Sequence, residues 1–293
     1  MMRILVTGST GQLGFEVVSA LSRSGHEIIA PQRREMDFLN PDAVADRTNH
    51  YQADWVVNCA AYTQVDRAES EAEEAFVVNR DSAARLAGAV AGYGGKLLHV
   101  STDFVFDGKQ SRPYREDDEA RPLSVYGRSK WEGEQAVRSA LPEAVILRTA
   151  WVYGVHGHNF VKTILRVARE GKPLRVIDDQ FGSPTWARDI AGAIRTLIQN
   201  QAKGAYHYTN AGSTSWHGFA SAILAGAADA GFALETTTVE AIPTTGYPTP
   251  ASRPAYSVLD THKIQSLLTA PIPHWRDSLD KMLKELRTCA DCW

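Results

Sequence analysis

The stretch VTGSTGQLG, residues 6–14, constrains the fold more than any other, because Gly8, Gly11 and Gly14 stand three apart where one sequence pattern gives way to another. Before it runs RILVT, a short β-branched apolar segment. After it comes LGFEVVSALSRSG, whose apolar spacing is helical and which closes on Gly25, a helix-stop signal. A strand that turns into a helix through closely spaced glycines lets the backbone approach a bound group and leaves the helix amides free for an anion. In that setting the glycines predict a dinucleotide site, with a pyrophosphate on the helix end.

Four further apolar runs follow: HEIIA (26–30), DWVVNCA (54–60), KLLHVS (96–101) and EAVILRT (143–149). Between them lie helical patterns, including the long SEAEEAFVVNRDSAARLAGAVAGYGG. Near-continuous apolar strands alternating with amphipathic helices indicate a parallel sheet covered on both faces, an α/β fold of the Rossmann-like, doubly wound type. Beyond about residue 150 the alternation degrades. Loops rich in Gly and Pro (DDQFGSPTW, TTGYPTPASRPAYS) interrupt helices near 159–170, 187–199 and 216–226. We therefore expect a cofactor-binding domain over residues 1–150 and a smaller, mainly substrate-binding region over 151–293, interleaved with the first.

Composition removes several function classes. The chain has 293 residues, 44% of them hydrophobic, which suffices for a substantial core. Its 31 basic and 34 acidic residues are scattered and form no basic stripe, so nucleic acid is not an expected partner. No apolar segment approaches the ~20 residues of a membrane span, and the N-terminus lacks a signal-peptide pattern. Three cysteines make no disulfide framework, which fits a cytoplasmic protein. Cys59 reads as a small core hydrophobe, and the pair Cys289 and Cys292 in the tail CADC lacks the second pair of ligands a metal site needs. The acidic run DRAESEAEEAF, with Asp66, Glu69, Glu71, Glu73 and Glu74, reads as a solvated helix start.

A second motif carries chemistry. SVYGRSKWEGEQAV sets Tyr126 and Lys130 four apart, hence side by side on one helix face. An ammonium and a helix N-terminus both favour a phenolate, so this pairing predicts a Tyr126 pKa drawn down toward neutrality and a phenol able to pass a proton to a carbonyl oxygen. HVSTDF ends the fourth strand with Ser101 and Thr102, where strand ends face the ligand crevice, so both hydroxyls are expected at the same reacting oxygen. At the end of the second strand, in IIAPQRREMDF, no acid stands immediately at the position that would hold ribose hydroxyls, while Arg33 and Arg34 follow closely, which favours NADPH over NADH.

VTGSTGQLG, NCAAYTQVDRAE, STDFVFDG, YGRSKWEGE, LRTAWVYG, DQFGSPT and RPAYSVLD together resemble the dTDP-4-dehydrorhamnose reductases, a family of extended short-chain dehydrogenases/reductases, nearly end to end. The resemblance implies reduction of the C4 ketone of dTDP-4-dehydro-β-L-rhamnose to dTDP-β-L-rhamnose by NADPH, with NADH as the other cofactor. It implies Tyr126 as proton donor, Lys130 as its partner and ribose anchor, and Thr102 as the tuning hydroxyl. It places Gln12 and Leu13 in the phosphate loop, Asp37 and Phe38 beside the adenine, and Ala60, Ala61 and Thr63 along the cofactor. Asp103 and Trp151 join Thr102 and Tyr126 on the substrate side, with Asn159 and Gln180 in loops near the nucleotide. It also brings in a homodimer and a Mg²⁺ ion at the dimer contact, for which no ligand set can be assigned. Phe104 stands where the family often has tyrosine, and Pro31 where it often has an acid, which bears on NADH use. Two rival readings stay open. A nucleotide-sugar epimerase or dehydratase shares the Tyr/Lys pair, although a dehydratase needs an acid and a base together, typically Asp followed by Glu, and with Phe104 after Asp103 this chain lacks the base. A non-catalytic NADP-binding regulatory subunit would keep the cofactor site without turnover.

Overall fold

The five apolar runs become five parallel strands, β1 (Arg3–Thr7), β2 (Glu27–Ile29), β3 (Trp55–Asn58), β4 (Lys96–Thr102) and β5 (Val145–Thr149), in a computed structural model that describes residues 1–289. A sixth strand, Gly204–His207, pairs in parallel beside β5, and the sheet order is Gly204–His207, β5, β4, β3, β1, β2. Every residue of β3 and β5 is buried, which is why these runs show no polar alternation.

Eight helices matter here: α1 (Gln12–Ser22), α2 (Pro41–Tyr51), α3 (Ala72–Phe76), α4 (Ser82–Tyr93), α5 (Val125–Ala140), α6 (Phe160–Arg169), α7 (Ala187–Gln199) and α8 (Trp216–Asp229). On one face of the sheet, Val17 and Leu21 of α1 and Ile190, Ile194 and Leu197 of α7 pack on Ile4, Val6, Val57 and Leu147. On the other, Val44 of α2, Leu86 and Val90 of α4 and Val137 of α5 pack on Leu5, Val56, Leu97 and Ile146. Alternate strand residues thus serve opposite layers, as the pleat requires. A separate cluster joins Ile164 and Leu165 of α6, Phe219 and Ile223 of α8, and Trp275, Leu279 and Leu283 of the helix Trp275–Thr288. The helix α7 and the strand Gly204–His207 return the chain to the sheet from within the second half of the sequence.

The expected long helix over residues 70–95 is broken by one π-helical turn, Val77–Asp81, between α3 and α4. The wider turn brings Asn79 inward. Its side chain accepts from Tyr62 N at 2.9 Å and donates to Tyr62 O at 3.1 Å and to Ser129 Oγ of α5 at 2.9 Å. It thereby ties the segment after β3 to the helix that carries the Tyr/Lys pair.

The acidic run is not merely a solvated face. Asp66 holds Arg253 through two oxygens at 2.9 and 2.8 Å, and Glu69 accepts the first amide of α5, Val125 N, at 2.8 Å. Sequence distance hid both: the partners lie 187 and 56 residues away. Among the described residues no helix is long and apolar enough to cross a membrane. Cys292 of the CADC tail lies outside the described residues.

Candidate active site

The sheet order reverses between β1 and β3, and the crevice at their C-terminal ends is where doubly wound sheets take ligands. The glycines shape its floor. Gly8 has φ +65°, and a Cβ there would stand 2.7 Å from Ala60 N; one at Gly14 would stand 2.1 Å from Gly8 O. Gly11 caps α1 without any side-chain bond, so the first amides of the helix face the crevice unclaimed by a side chain. Beneath them, Thr7 Oγ1 donates to Asn58 Oδ1 at 2.6 Å, the same oxygen accepts from Ala60 N at 3.1 Å, and Asn58 Nδ2 meets His99 Nδ1 at 3.0 Å. Burial holds His99 well below its usual pKa, so this ring is a neutral partner inside the sheet.

The crevice is one cavity of about 950 Å³. Gly8, Gly11, Gln12, Leu13, Gly14, Asp37, Phe38, Ala60, Ala61, Thr63, Thr102, Asp103, Tyr126, Lys130 and Trp151 all line it, as does Asn159. Arg33 is on its rim, with Nε 3.7 Å from Asp37. Arg34 and Gln180 are not among the lining residues; Gln180 is buried and donates to Thr244 Oγ1 at 3.0 Å. Cys59 packs against the core as expected and also reaches the cavity wall, with its thiol pushed up to about 12 by burial.

One wall of this cavity is the start of α5. Ser124 caps the helix by accepting from Gly127 N at 3.1 Å, and Glu69 supplies the second cap described above. Gly127, costly inside a helix, is explained by close packing: a Cβ there would stand 2.4 Å from Phe104 O. The arrangement holds Tyr126 against Phe104, ring centroids 5.6 Å apart and edge on.

The electrostatics differ from the expectation drawn from spacing. The Tyr126 phenol is pushed up to about 12, first by burial, with a Thr102 hydrogen bond opposing and the charge of Asp103 adding to the rise. Lys130 does not pull it down. Its Nζ is fastened to the Val100 carbonyl at 2.7 Å, and burial lowers its own pKa to about 8. Desolvation of a buried phenol outweighs the ammonium.

Ser101 is a second correction. Its hydroxyl donates to Glu134 Oε1 at 2.6 Å, and Glu134 is itself held by Arg148 at 2.9 and 2.7 Å. That hydroxyl is committed to a carboxylate of α5 and is not free for the reacting oxygen, although Ser101 itself borders the cavity. Thr102 remains: it lines the cavity and bonds both Asp103 Oδ1, at 3.1 Å, and the phenol. Asp103 is fully buried, and that burial raises its pKa to about 6 against the opposing hydrogen bonds of Ser257 and Thr102.

The far side of the cavity was largely unread in the sequence. Trp151, Phe160, Trp216 and Phe219 form an aromatic wall, with Tyr62, Arg67, Glu71 and Arg253 around them. Tyr62 donates its hydroxyl to Glu71, a carboxylate that also holds Arg67. Only Trp151 carried a signal, its place just after β5.

Among the described residues no group of three or more His, Cys, Asp or Glu side chains could hold a metal ion.

A parallel doubly wound sheet, a glycine cradle at its switch point and a Tyr-x-x-x-Lys pair beside a strand-end threonine define a short-chain dehydrogenase/reductase. The family described as RmlD substrate binding domain matches residues 2–288. Among curated relatives, a dTDP-4-dehydrorhamnose reductase of Burkholderia thailandensis is 42% identical, over 97% of this chain and 99% of the relative. The spore coat polysaccharide biosynthesis protein SpsK of Bacillus subtilis is 40% identical over 99% and 100%. The structure of the Bacillus anthracis dTDP-4-dehydrorhamnose reductase in complex with NADP superposes with a TM-score of 0.91 at 34% identity, covering 97% of this chain and 99% of that one. The chain belongs to the dTDP-4-dehydrorhamnose reductase family.

Proposed function

We propose that this protein reduces the C4 ketone of dTDP-4-dehydro-β-L-rhamnose to dTDP-β-L-rhamnose with NADPH. The observation that carries the reading is the convergence of Tyr126, Thr102 and Lys130 with the glycine cradle and Trp151 in one cavity. The names of its relatives support the substrate, and the NADP complex of the Bacillus anthracis enzyme supports the cofactor. The cavity fits a dinucleotide, since a Cβ would fill the cradle at Gly8 and Gly14. We assign the cofactor to residues 1–150 together with the returning segment 187–207, and the sugar to the remainder.

When bound, the nicotinamide supplies a hydride to C4. The chain's task is to position the ketone and to deliver a proton to its oxygen. Tyr126 does so: burial keeps its phenol protonated at neutral pH, the form a general acid must start from. Thr102 orients that hydroxyl. Lys130, tethered to Val100 O at the base of the cavity, holds the ribose and presents a positive charge as negative charge grows on the reacting oxygen. Asp103, whose carboxylate borders the cavity, accepts from a sugar hydroxyl, and Trp151 lies against the sugar. Arg33 on the rim meets the adenosine phosphate of NADPH, while Asp37 next to it suits the free ribose hydroxyls of NADH, which serves less well.

Tyr126→Phe tests the assignment. It keeps the ring against Phe104 and removes the proton, so turnover should fall by about 10² to 10⁴-fold while NADPH affinity stays near the parent value. Retention of half the parent turnover at neutral pH would remove Tyr126 as the acid.

A further inference from the structure

We propose that Trp216 is a positioning residue for sugar recognition, acting together with Gly182 to fix the indole of Trp151. The inference rests on the reading that Trp151 faces the sugar, and extends it to two residues that have no other assigned role. Trp151 itself is held in an unusual backbone state: its φ is +46°, in the left-handed region that bulky residues avoid. The residue stands directly after β5, at the strand end that opens into the crevice. A backbone kept there against its preference needs surroundings that over-determine it, and two contacts supply them.

The first is a stack. The indoles of Trp151 and Trp216 lie with centroids 3.5 Å apart and planes only 7° from parallel. Ring pairs left to themselves prefer an offset or an edge, so this degree of overlap reflects bracing from behind. Phe160, at the start of α6, packs on Trp216 at 4.7 Å, and Ser215 caps α8 by accepting from Gly218 N at 3.0 Å, which fixes the helix whose first residue is Trp216. The second contact is Gly182, where a Cβ would stand 2.4 Å from the ring of Trp151. Gly182 pairs with Thr214, two residues before Trp216, so both supports come from one small antiparallel ladder. Trp151 and Trp216 both border the cavity, which places the stack in its wall and not in the core below. The ladder and stack hold one edge and one face of the Trp151 indole. Phe219 lies 6.5 Å away on the core side, the surface that borders the cavity is left to the sugar, and the fixed ring selects the sugar's orientation against the proton donor.

The proposal is tested with Trp216→Leu, Trp216→Phe and Gly182→Ala, read beside Trp151→Ala. The parent should show a far-ultraviolet exciton couplet from the stacked indoles, lost in both Trp216 variants. Trp216→Leu should raise KM for the keto-sugar about threefold to tenfold, the worth of one aromatic pair, with kcat and NADPH affinity near the parent values. Trp216→Phe, which still offers a ring, should restore KM most of the way. Gly182→Ala should displace the indole and raise KM in the same manner, which keeps the test open even if Trp216→Leu does not fold. A parent KM in both Gly182→Ala and a folded Trp216 variant, while Trp151→Ala raises it, overturns the positioning role alone. A parent KM in Trp151→Ala overturns the underlying reading as well.

Discussion

The two ends of the cavity are built by different means. At the cofactor end, position is set by backbone: strand termini, the glycine cradle and the free end of α1, all laid down by a regular β-α alternation. At the sugar end it is set mainly by side chains, the stacked indoles and the Asp66 to Arg253 pair, carried on short ladders such as Phe181–Gly182 against Thr214–Ser215. A backbone site tolerates no added atom, whereas a side-chain site can be retuned one residue at a time.

That contrast can be broken most forcefully at Gly14. A Cβ there would stand 2.1 Å from Gly8 O, a backbone atom that cannot swing aside, so Gly14→Ala should weaken NADPH binding by about 100-fold or more. Gly154→Ala, whose added Cβ meets Ala187 at an ordinary 3.5 Å, is the control and should bind normally when both variants are titrated with NADPH and followed by tryptophan fluorescence.

At the sugar end the largest expected effect is smaller. Arg253→Gln loses the paired hydrogen bonds to Asp66 that fasten the segment around Ala251 to the opposite rim, and KM for the sugar should rise about tenfold with cofactor affinity unchanged. An equal loss of NADPH affinity would show that the two ends are not separable.

Asp103 sits at their junction and gives a pH signature. Its carboxyl ionises at about 6 in the fold against 3.8 in the free side chain. The unfolded chain therefore gives up this proton first as pH rises, and the parent should lose about 3 kcal/mol of stability between about pH 4 and pH 6. Asp103→Asn should lack this part of the slope and exceed the parent in stability at neutral pH, as measured by urea unfolding across the window. The smallest effect belongs to Arg33→Ala. Its side chain is 77% exposed, so NADPH affinity should fall by no more than about fivefold and NADH affinity should not move.

The same division decides what could be read from sequence. β1, β3, β4 and β5 were legible because a strand buried on both faces must be an apolar run, the half-exposed edge strand β2 because it kept its two isoleucines, and the cradle because close backbone approach demands glycine. The strand Gly204–His207 was not, since GAYH at a sheet edge is only partly buried and carries no such run. Likewise Tyr126 and Lys130 could be placed on one helix face by counting. The balance between burial and charge at the phenol could not, because it depends on what covers the ring and on Lys130 being tied to Val100. Glu69 and Asp66 looked like surface charge because their partners, Val125 N and Arg253, are remote in sequence.

The late arrival of the sixth strand has a consequence for how the protein is made. β5 ends at Thr149 and its neighbour begins only at Gly204, so about 55 residues must be added before that edge is paired. At the ~5–20 residues per second of synthesis, the growing chain carries an open edge on a strand that ends up fully buried for several seconds. Those seconds, and not the finished fold, are when this protein is most exposed to wrong pairing between nascent chains.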